Sequence, residues 1–459
     1  MTDVIASVNR IVWGAPLLLL ILAVGLYLSV RTGFAQIRLF HVALRSFLRR
    51  FLKRENSNGV SSYQALCTAL AATVGTGNIV GVAGAIAIGG PGAIFWMWIC
   101  ALLGMVTKYA EATLAVRYRE KNEDGEYVGG PMYMIKTALP SFRWLAYVYC
   151  FFGVIAAFGV GNATQINAVI GGVNSVISFF GGYHNIASDL FLGLLLSILI
   201  LFMLLGGARR IGTIAERLVP YAAIGYLLLC CIVLLSRIQM IPNAFCSIMK
   251  GAFTPDAITG GVIGSAFTAL RIGASRGVFT NEAGMGTAAI AHASSNVEHP
   301  AEQGLMGIME VFLDTIVICT MTALVILCSG VDIPYGIDTG ILLTTQAFSE
   351  ALGSWVCIPI TFFLCCFALA TVLGWGLYGI RCAQFLLGDN YWKKFVYLQA
   401  VTAVISAGLG TGIIWTLAET VNGLMAIPNL VVLAYLAPEL RYLTQQYGKR
   451  FKSLKQTRN

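Results

Sequence analysis

The chain has 459 residues, of which 58% are hydrophobic and only 11% are charged, and its formal net charge is +9. A soluble globular protein carries about a quarter charged residues, so the composition excludes a soluble domain and indicates a bundle of membrane helices. Because most lysines and arginines lie in short loops and in the tail, the positive charge predicts an orientation in the membrane rather than a nucleic-acid partner.

Eleven apolar segments are long enough to cross a membrane. In chain order, their approximate boundaries are 12–30, 60–88, 91–116, 143–178, 188–206, 218–237, 256–285, 304–329, 355–387, 391–410 and 412–437. The first segment is followed by a strongly basic stretch, whereas a signal peptide carries its positive charge before the apolar region. We therefore predict that this first helix is retained.

The basic residues segregate to one side of the predicted bundle. With the N-terminus outside, the loop at 31–59 and the tail at 441–459 lie inside, while the outer segments hold little more than Arg10, Arg237 and Lys250. Cytoplasmic loops carry the excess of lysine and arginine in membrane proteins. The sequence thus predicts a multi-pass protein of the plasma membrane (a bacterial inner membrane), with its C-terminus in the cytoplasm.

The ten helices after the first divide into two groups of five. We predict an extra N-terminal helix and basic loop at 1–59, a first repeat at 60–238, a second repeat at 239–440 and a basic tail at 441–459. An odd number of helices per group gives the groups opposite orientations, as in inverted-repeat transporters. The two halves share hydropathy and no convincing sequence repeat.

Glycines interrupt the first helix of each group, at "TVGTGN" (73–78) and "RIGASRG" (271–277). A glycine in a helix interior costs roughly 0.5–1 kcal/mol relative to alanine. Paired interruptions indicate a binding site near the middle of the membrane. The alternative is that these glycines only allow close packing of helices.

An unwound helix near residues 75–78 would expose backbone groups that cannot face lipid unsatisfied. Amides at Gly77 and its neighbours would attract a carboxylate, and carbonyls at 71–74 would coordinate a hard cation such as Na⁺. We expect both at this break.

The second break has two possible positions. Arg271 and Arg276 would be costly in the middle of the membrane, so the break lies either at 273–277 or upstream at 260–264. The length of the span favours 273–277, with Phe279 as a wall of the pocket.

Several polar or bulky side chains lie inside the predicted spans. Gln165 and Asn162 are about one turn apart, and either contacts a substrate or forms hydrogen bonds between helices. Trp375 lies between Gly374 and Gly376, which leave space around the ring. It is therefore either a lid over a substrate or a packing residue.

Charged residues also occur inside the spans. Lys108 and Glu111 are three residues apart on one helix face, and we predict that they pair with each other. Glu310 and Asp314, at positions i and i+4, either relay protons or have a structural role, as caps or as partners of Arg271 or Arg276.

Three motifs resemble the signatures of the alanine or glycine:cation symporters. They are "GTGNIVGVAGAIAIGGPGAIFWMW" (75–98), "GGPMYMI" (129–135) and "GVFTNEAGMGTAAIAHA" (277–293), and the likeness extends over almost the whole chain. It implies the leucine-transporter fold of the amino acid-polyamine-organocation superfamily, an all-α polytopic membrane protein with broken first and sixth core helices.

The resemblance also implies which residues bind the substrate. The amides of Thr76 and Gly77 would receive the substrate carboxylate. The other substrate contacts that we predict are Asn78, Gln165, Phe279 and Trp375. None of these residues is acidic, so the sequence predicts that lysine competes poorly.

For Na⁺, the resemblance implies the carbonyls of Ala71, Val74 and Ala368 and the hydroxyl of Thr371. Val372 stands where the fold usually has a second hydroxyl, which leaves the number of oxygen ligands open. A second cation site would need Asn78 and the carbonyl of Thr73.

Together these observations predict a secondary symporter that couples the entry of Na⁺ or H⁺ to the uptake of a small neutral amino acid such as alanine or glycine. The alternatives are a larger neutral amino acid such as glutamine or, from a different class, a membrane channel. The sequence lacks a phosphate-binding loop, a HExxH motif and a nucleophile elbow, so we expect no enzyme. The expected partners are the amino acid, the ion and the lipid bilayer, with no cofactor, nucleic acid or obligate protein partner.

Overall fold

A computed structural model of the chain describes residues 7–9, 11–52, 59–254, 266–337, 340–408 and 411–456, with the backbone alone at 411–415 and 451–456. The α-helices that build the bundle are, in chain order, α1 Ala15–Thr32, α2 Ala35–Arg38, α3 Phe40–Leu52, α4 Ser62–Thr73, α5 Val82–Gly89, α6 Gly92–Arg117, α7 Pro131–Ala138, α8 Trp144–Phe158, α9 Thr164–Phe179, α10 Ile186–Leu204, α11 Gly207–Ser236, α12 Ile241–Phe253, α13 Ala266–Asn281, α14 Thr287–Ala293, α15 Pro300–Val311, α16 Thr320–Ser329, α17 Ile341–Leu352, α18 Cys357–Leu387, α19 Trp392–Ala407, α20 Thr411–Tyr435 and α21 Ala437–Gln456. A short antiparallel hairpin pairs Glu120–Lys121 with Tyr127–Val128.

Eight helical segments of the described residues are long and apolar enough to cross a membrane, and the bent pair Ser62–Thr73 and Gly77–Gly89 forms a ninth. Nine of the eleven predicted spans therefore have a counterpart. Of the other two, the span at 256–285 lies partly outside the described residues. The span at 391–410 contains α19, whose 16 residues are fewer than the roughly 20 that cross a bilayer as a helix.

The first core helix, formed by α4, the π-helical turn Gly77–Gly81 and α5, begins at a capping box, which fixes its start. The Ser61 side chain accepts a hydrogen bond from the Gln64 amide, and the Gln64 side chain accepts one from the Ser61 amide. Such a box satisfies two amides that have no partner within the helix. Gln64 also donates to Glu216 of α11 at 2.9 Å, which ties the helix start to a neighbour.

The first core helix breaks where the sequence predicts. α4 ends at Thr73, Val74 is extended, and the chain resumes in a π-helical turn at Gly77–Gly81 that continues into α5. The two halves are bent by 51° relative to each other. Two further π-helical turns lie at Gly159–Ala163 and Phe312–Cys319, inside long spans. Turns of this kind occur frequently at functional sites.

The predicted break at 273–277 is wrong, because α13 continues through it without interruption. A Cβ atom at Gly273 would lie 2.3 Å from the carbonyl oxygen of Ala93, and one at Gly277 would lie 3.2 Å from the Cβ of Cys100. These glycines therefore allow α13 to approach α6 closely, which is the packing role that small residues have in membrane helices. The other proposed position, 260–264, lies outside the described residues.

The sixth core helix breaks nine residues later than that proposal, at 282–286. Glu282, Gly284 and Gly286 have φ angles of 52°, 96° and 79°, and α14 follows directly. A left-handed φ is easily adopted by glycine and is uncommon for a side chain such as that of glutamate. Arg276 lies on α13 and pairs with Glu419 at 3.4 Å, with both side chains about 24% exposed.

Candidate functional site

The two helix breaks face one small cavity of about 20 Å³. It is bounded by the first break, the π-helical turn between α8 and α9, the end of α13 and the middle of α18. Its lining residues are Ala72, Thr73, Gly75, Thr76, Gly77, Val160, Gln165, Phe279, Thr280, Glu282 and Thr371. A water molecule needs roughly 10–15 Å³ of such space, so the walls have to move apart to admit a larger molecule.

The cavity brings together six of the eleven predicted site residues. These are Thr73, Thr76, Gly77, Gln165, Phe279 and Thr371. The other five are buried nearby without lining the cavity, and they are Ala71, Val74, Asn78, Ala368 and Trp375.

The first break presents amide groups to the cavity. Within the described residues, the amides of Thr76 and Gly77 donate to no protein acceptor. The Gly75 amide instead donates to the Asn78 side chain at 2.9 Å. Unpaired amides at the start of a helical segment attract anions. The local geometry therefore suits a carboxylate at Thr76 and Gly77.

Gln165 faces this break from the first turn of α9, directly after the π-helical turn. Its side-chain nitrogen donates to the Val160 carbonyl at 3.0 Å, and its oxygen accepts a hydrogen bond from the Thr76 hydroxyl at 3.3 Å. Asn162 turns away and donates to the backbone and side-chain oxygens of Gln399, both at 2.6 Å. Of this pair, Asn162 bonds between helices and Gln165 borders the cavity.

The side chain of Asn78 forms hydrogen bonds within the protein. Its side-chain nitrogen donates to the Asp314 carboxylate at 2.6 Å, while its oxygen accepts from the Gly75 amide. Both ends of the amide side chain are thereby used within the protein. Its contact with a substrate stays a prediction.

The elements that carry the predicted Na⁺ ligands lie against each other. A Cβ atom at Gly75 would be 2.5 Å from the Thr371 hydroxyl, and one at Gly374 would be 2.7 Å from the Cβ of Ala72. This close approach puts α18 against the first break. The Thr371 hydroxyl donates to the Phe367 carbonyl at 3.0 Å, which leaves its oxygen able to accept or coordinate.

Glu282 lies at the second break and borders the cavity, although we predict no acid among the contacts. The predicted set therefore omits an acid that lines the cavity. One carboxylate oxygen accepts from the Trp375 indole at 3.0 Å, and the other accepts from the Thr287 hydroxyl at 2.6 Å. The signal was available, since an acid inside a membrane segment indicates a functional site, and Glu282 stands in the middle of "GVFTNEAGMG".

The second break is held by Glu111 of α6. One of its oxygens accepts from the Gly284 amide at 2.9 Å, the Gly286 amide at 3.0 Å and the Asn429 side chain at 2.8 Å. The predicted pairing of Glu111 with Lys108 is therefore wrong. Glu111 faces the unsatisfied amides of the break, and Lys108 pairs with Glu310 of α15 at 3.0 Å.

A buried polar chain extends from that ion pair. Glu310 contacts His292 at 2.9 Å, His292 contacts Gln303 at 2.7 Å, and the Ser62 hydroxyl donates to Gln303 at 2.6 Å. With Lys108 these residues connect α6, α15, α14 and α4. Buried polar groups of this kind are expected to be hydrogen-bonded.

The two acids of the seventh core helix, which is the span Pro300–Ser329 formed by α15, the π-helical turn Phe312–Cys319 and α16, have separate partners. Glu310 belongs to the chain from Lys108, whereas Asp314 accepts from Asn78 and from the Thr315 hydroxyl at 2.8 Å. The predicted alternative of pairing with nearby arginines is wrong, because the Lys108 ammonium is the cation that Glu310 contacts and Arg276 pairs with Glu419.

Known proteins are similar to this chain over most of its length. The model of the sodium:alanine symporter family matches residues 1–459. The chain belongs to the sodium:alanine symporter family. It is 41% identical to the sodium/alanine symporter AgcS of Methanococcus maripaludis, over 95% of this chain and 94% of that protein. It is 36% identical to the probable sodium/glutamine symporter GlnT of Bacillus subtilis, over 98% and 91%.

A solved structure matches the fold. The crystal structure of MhsT in complex with L-phenylalanine superposes with a TM-score of 0.56 at 15% identity, covering 85% of this chain and 99% of that one. The expected leucine-transporter fold is thus confirmed for this sodium:alanine symporter family member. The chain is a multi-pass, sodium-coupled amino acid symporter and not an enzyme.

Proposed function

We propose that the protein couples the entry of Na⁺ to the uptake of alanine or glycine by alternating access. The observation that carries the proposal is the first break, whose unpaired Thr76 and Gly77 amides border a small cavity beside Thr371. AgcS, at 41% identity, is named a sodium/alanine symporter, and this name supports alanine or glycine as the substrate.

The substrate carboxylate lies at the amides of Thr76 and Gly77 in this proposal. Gln165 and Phe279 limit the space around the substrate side chain, and Trp375 supports the far wall. Packed walls exclude a longer side chain more sharply than they favour a shorter one, because overpacking costs about 1–3 kcal/mol.

Na⁺ is bound between the first break and α18. Its ligands are the carbonyls of Ala71, Val74 and Ala368 and the Thr371 hydroxyl, and hard oxygen donors of this kind suit a small cation. A second ion would use the Thr73 carbonyl and Asn78. The transported ion is the protein's only inorganic partner in this proposal, with no other cofactor.

The orientation follows from the charges. The basic tail at 441–459 and the basic loop at 31–59 lie in the cytoplasm, and the N-terminus lies outside. Positive residues are retained on the cytoplasmic side of the plasma membrane.

Glutamine is the competing substrate, since GlnT is named a probable sodium/glutamine symporter. The higher identity to AgcS favours alanine or glycine. A channel is not favoured, because members of this family are symporters.

The proposal is tested in proteoliposomes with an imposed Na⁺ gradient. Labelled alanine should accumulate, and the accumulation should collapse when a Na⁺ ionophore dissipates the gradient. Glycine should compete with alanine, serine less well, and glutamine and leucine poorly. Uptake that does not depend on the Na⁺ gradient would contradict the proposal. The same holds if glutamine competes with alanine better than glycine does.

A further inference from the structure

Among the described residues that line the cavity between the two breaks, Glu282 is the one with an ionisable side chain. Its side chain is only 3% exposed. It lies three residues after Phe279, at the end of α13, and its left-handed backbone holds it at the point where the sixth core helix breaks.

The partners of this carboxylate are neutral. Trp375 and Thr287 each donate one hydrogen bond to it, and no lysine, arginine or histidine of the described residues forms an ion pair with it. Lys108, which is also buried, pairs with Glu310 instead. A buried carboxylate without a cation is energetically costly, so the site lacks one positive charge.

A zwitterionic amino acid supplies that charge. Its carboxylate suits the amides of Thr76 and Gly77, and its ammonium group needs acceptors on another wall of the same cavity. Glu282 offers two oxygens there, each with a second lone pair beyond the bond to Trp375 or Thr287.

We infer that Glu282 is the counter-charge of the substrate's ammonium group, an inference that rests on the proposed amino acid transport. Trp375 and Thr287 orient the carboxylate, and the bound substrate completes an ion pair. The site then selects α-amino acids over hydroxy acids of the same size.

The test removes one partner of the proposed ion pair at a time, the ammonium group from the ligand and the carboxylate from the protein. Purified protein in detergent at saturating Na⁺ is titrated with alanine and with L-lactate, which carries a hydroxyl in place of the ammonium group. The rise in unfolding temperature with ligand concentration gives both dissociation constants. Wild-type protein should prefer alanine to lactate by at least about 30-fold, the lower range for a buried charge pair.

Glu282→Gln should remove most of that preference, because it weakens the binding of alanine and leaves the binding of lactate unchanged. Glu282→Asp should restore part of the preference. The matched control is Glu111→Gln, which neutralises an equally buried carboxylate that does not border the cavity and keeps an acceptor oxygen for the break. Its alanine-to-lactate preference should stay within about twofold of wild type, because lost structural support acts on both ligands.

The inference is overturned if Glu282→Gln raises the dissociation constants of alanine and lactate by the same factor. If Glu282→Gln does not fold, the wild-type comparison decides, since equal affinity for alanine and lactate also overturns it. Wild-type protein that shows no Na⁺-dependent response to alanine contradicts the proposed function itself, and is recognised before any variant is made.

Discussion

The two helix breaks face the same cavity but are built differently. The first break, at 74–77, contains no left-handed residue, and its Gly75 serves a close approach to Thr371. The second break, at 282–286, has a left-handed backbone at Glu282, Gly284 and Gly286. A break can therefore arise from close packing and side-chain capping, or from backbone conformations that favour glycine.

Each break is also held by an acid from the opposite half of the chain. Asp314, in the seventh core helix, accepts from Asn78 beside the first break, and Glu111, in the second core helix, accepts from the Gly284 and Gly286 amides. Since the second and seventh core helices occupy corresponding positions in the two repeats, each half stabilises the break of the other. The inverted repeat is thus visible in polar contacts even though the halves share no convincing sequence repeat.

The largest effect on transport and stability is expected from Glu111→Ala. The substitution leaves two break amides and the Asn429 side chain without their shared acceptor, and each buried unsatisfied group costs about 1–3 kcal/mol. We expect loss of transport together with a clear fall in unfolding temperature in detergent. Glu111→Gln keeps an acceptor oxygen and should retain most stability. Normal stability of Glu111→Ala would show that the second break does not depend on Glu111.

Asn78→Ala should follow, with uptake reduced by about tenfold or more and membrane insertion intact, because the Gly75 amide and Asp314 both lose a partner. Uptake per molecule inserted in the membrane is the measurement. Gln165→Ala is the matched comparison at the opposite wall, and it should lower uptake without lowering the unfolding temperature. Normal transport by both variants would place the site elsewhere.

The sequence predicts the first break well because its signal is local. Residues 73–78 combine glycines with polar residues inside an apolar span, and the chain unwinds there. Nine spans are likewise recovered from hydropathy alone.

The second break is missed because a glycine in a membrane helix can also serve packing, as Gly273 and Gly277 do against α6. Partners distant in the chain are missed for another reason. Glu111 and Gly284 are 173 residues apart, and hydropathy reports which segments span the membrane but not which side chains meet.

A smaller and more selective effect is expected from Thr371→Val. The hydroxyl lies against Gly75 at the first break, so its loss should raise the Na⁺ concentration for half-maximal uptake by about tenfold, as expected for one hydrogen-bonding or coordinating group near a charge. Alanine affinity at saturating Na⁺ should change less. Thr371→Ser keeps the hydroxyl and should resemble wild type. Unaltered Na⁺ dependence in Thr371→Val would remove this residue from the ligand set.

The smallest effect on alanine binding is expected from Trp375→Ala. This substitution tests whether the wall between the breaks limits the size of the substrate. The indole is fully buried, and a Cβ atom at Gly161 would lie 2.2 Å from the Trp375 Cβ, so the π-helical turn beside Gln165 packs directly on this side chain. A tryptophan buries about 150–250 Å², and its removal should admit larger neutral competitors while weakening alanine severalfold through lost contact.

The measurement for Trp375→Ala is inhibition of labelled alanine uptake by glycine, alanine, serine, glutamine and leucine, before and after substitution. Trp375→Phe is the matched control, because it keeps most of the ring volume and removes the hydrogen bond to Glu282. Trp375→Phe should weaken alanine binding slightly and leave the order of the competitors unchanged. If Trp375 only packs its helix, Trp375→Ala should lower protein yield or unfolding temperature without changing that order. An unchanged order at normal expression would thus exclude Trp375 as the residue that sets substrate size, and the limit would then lie with Gln165 and Phe279.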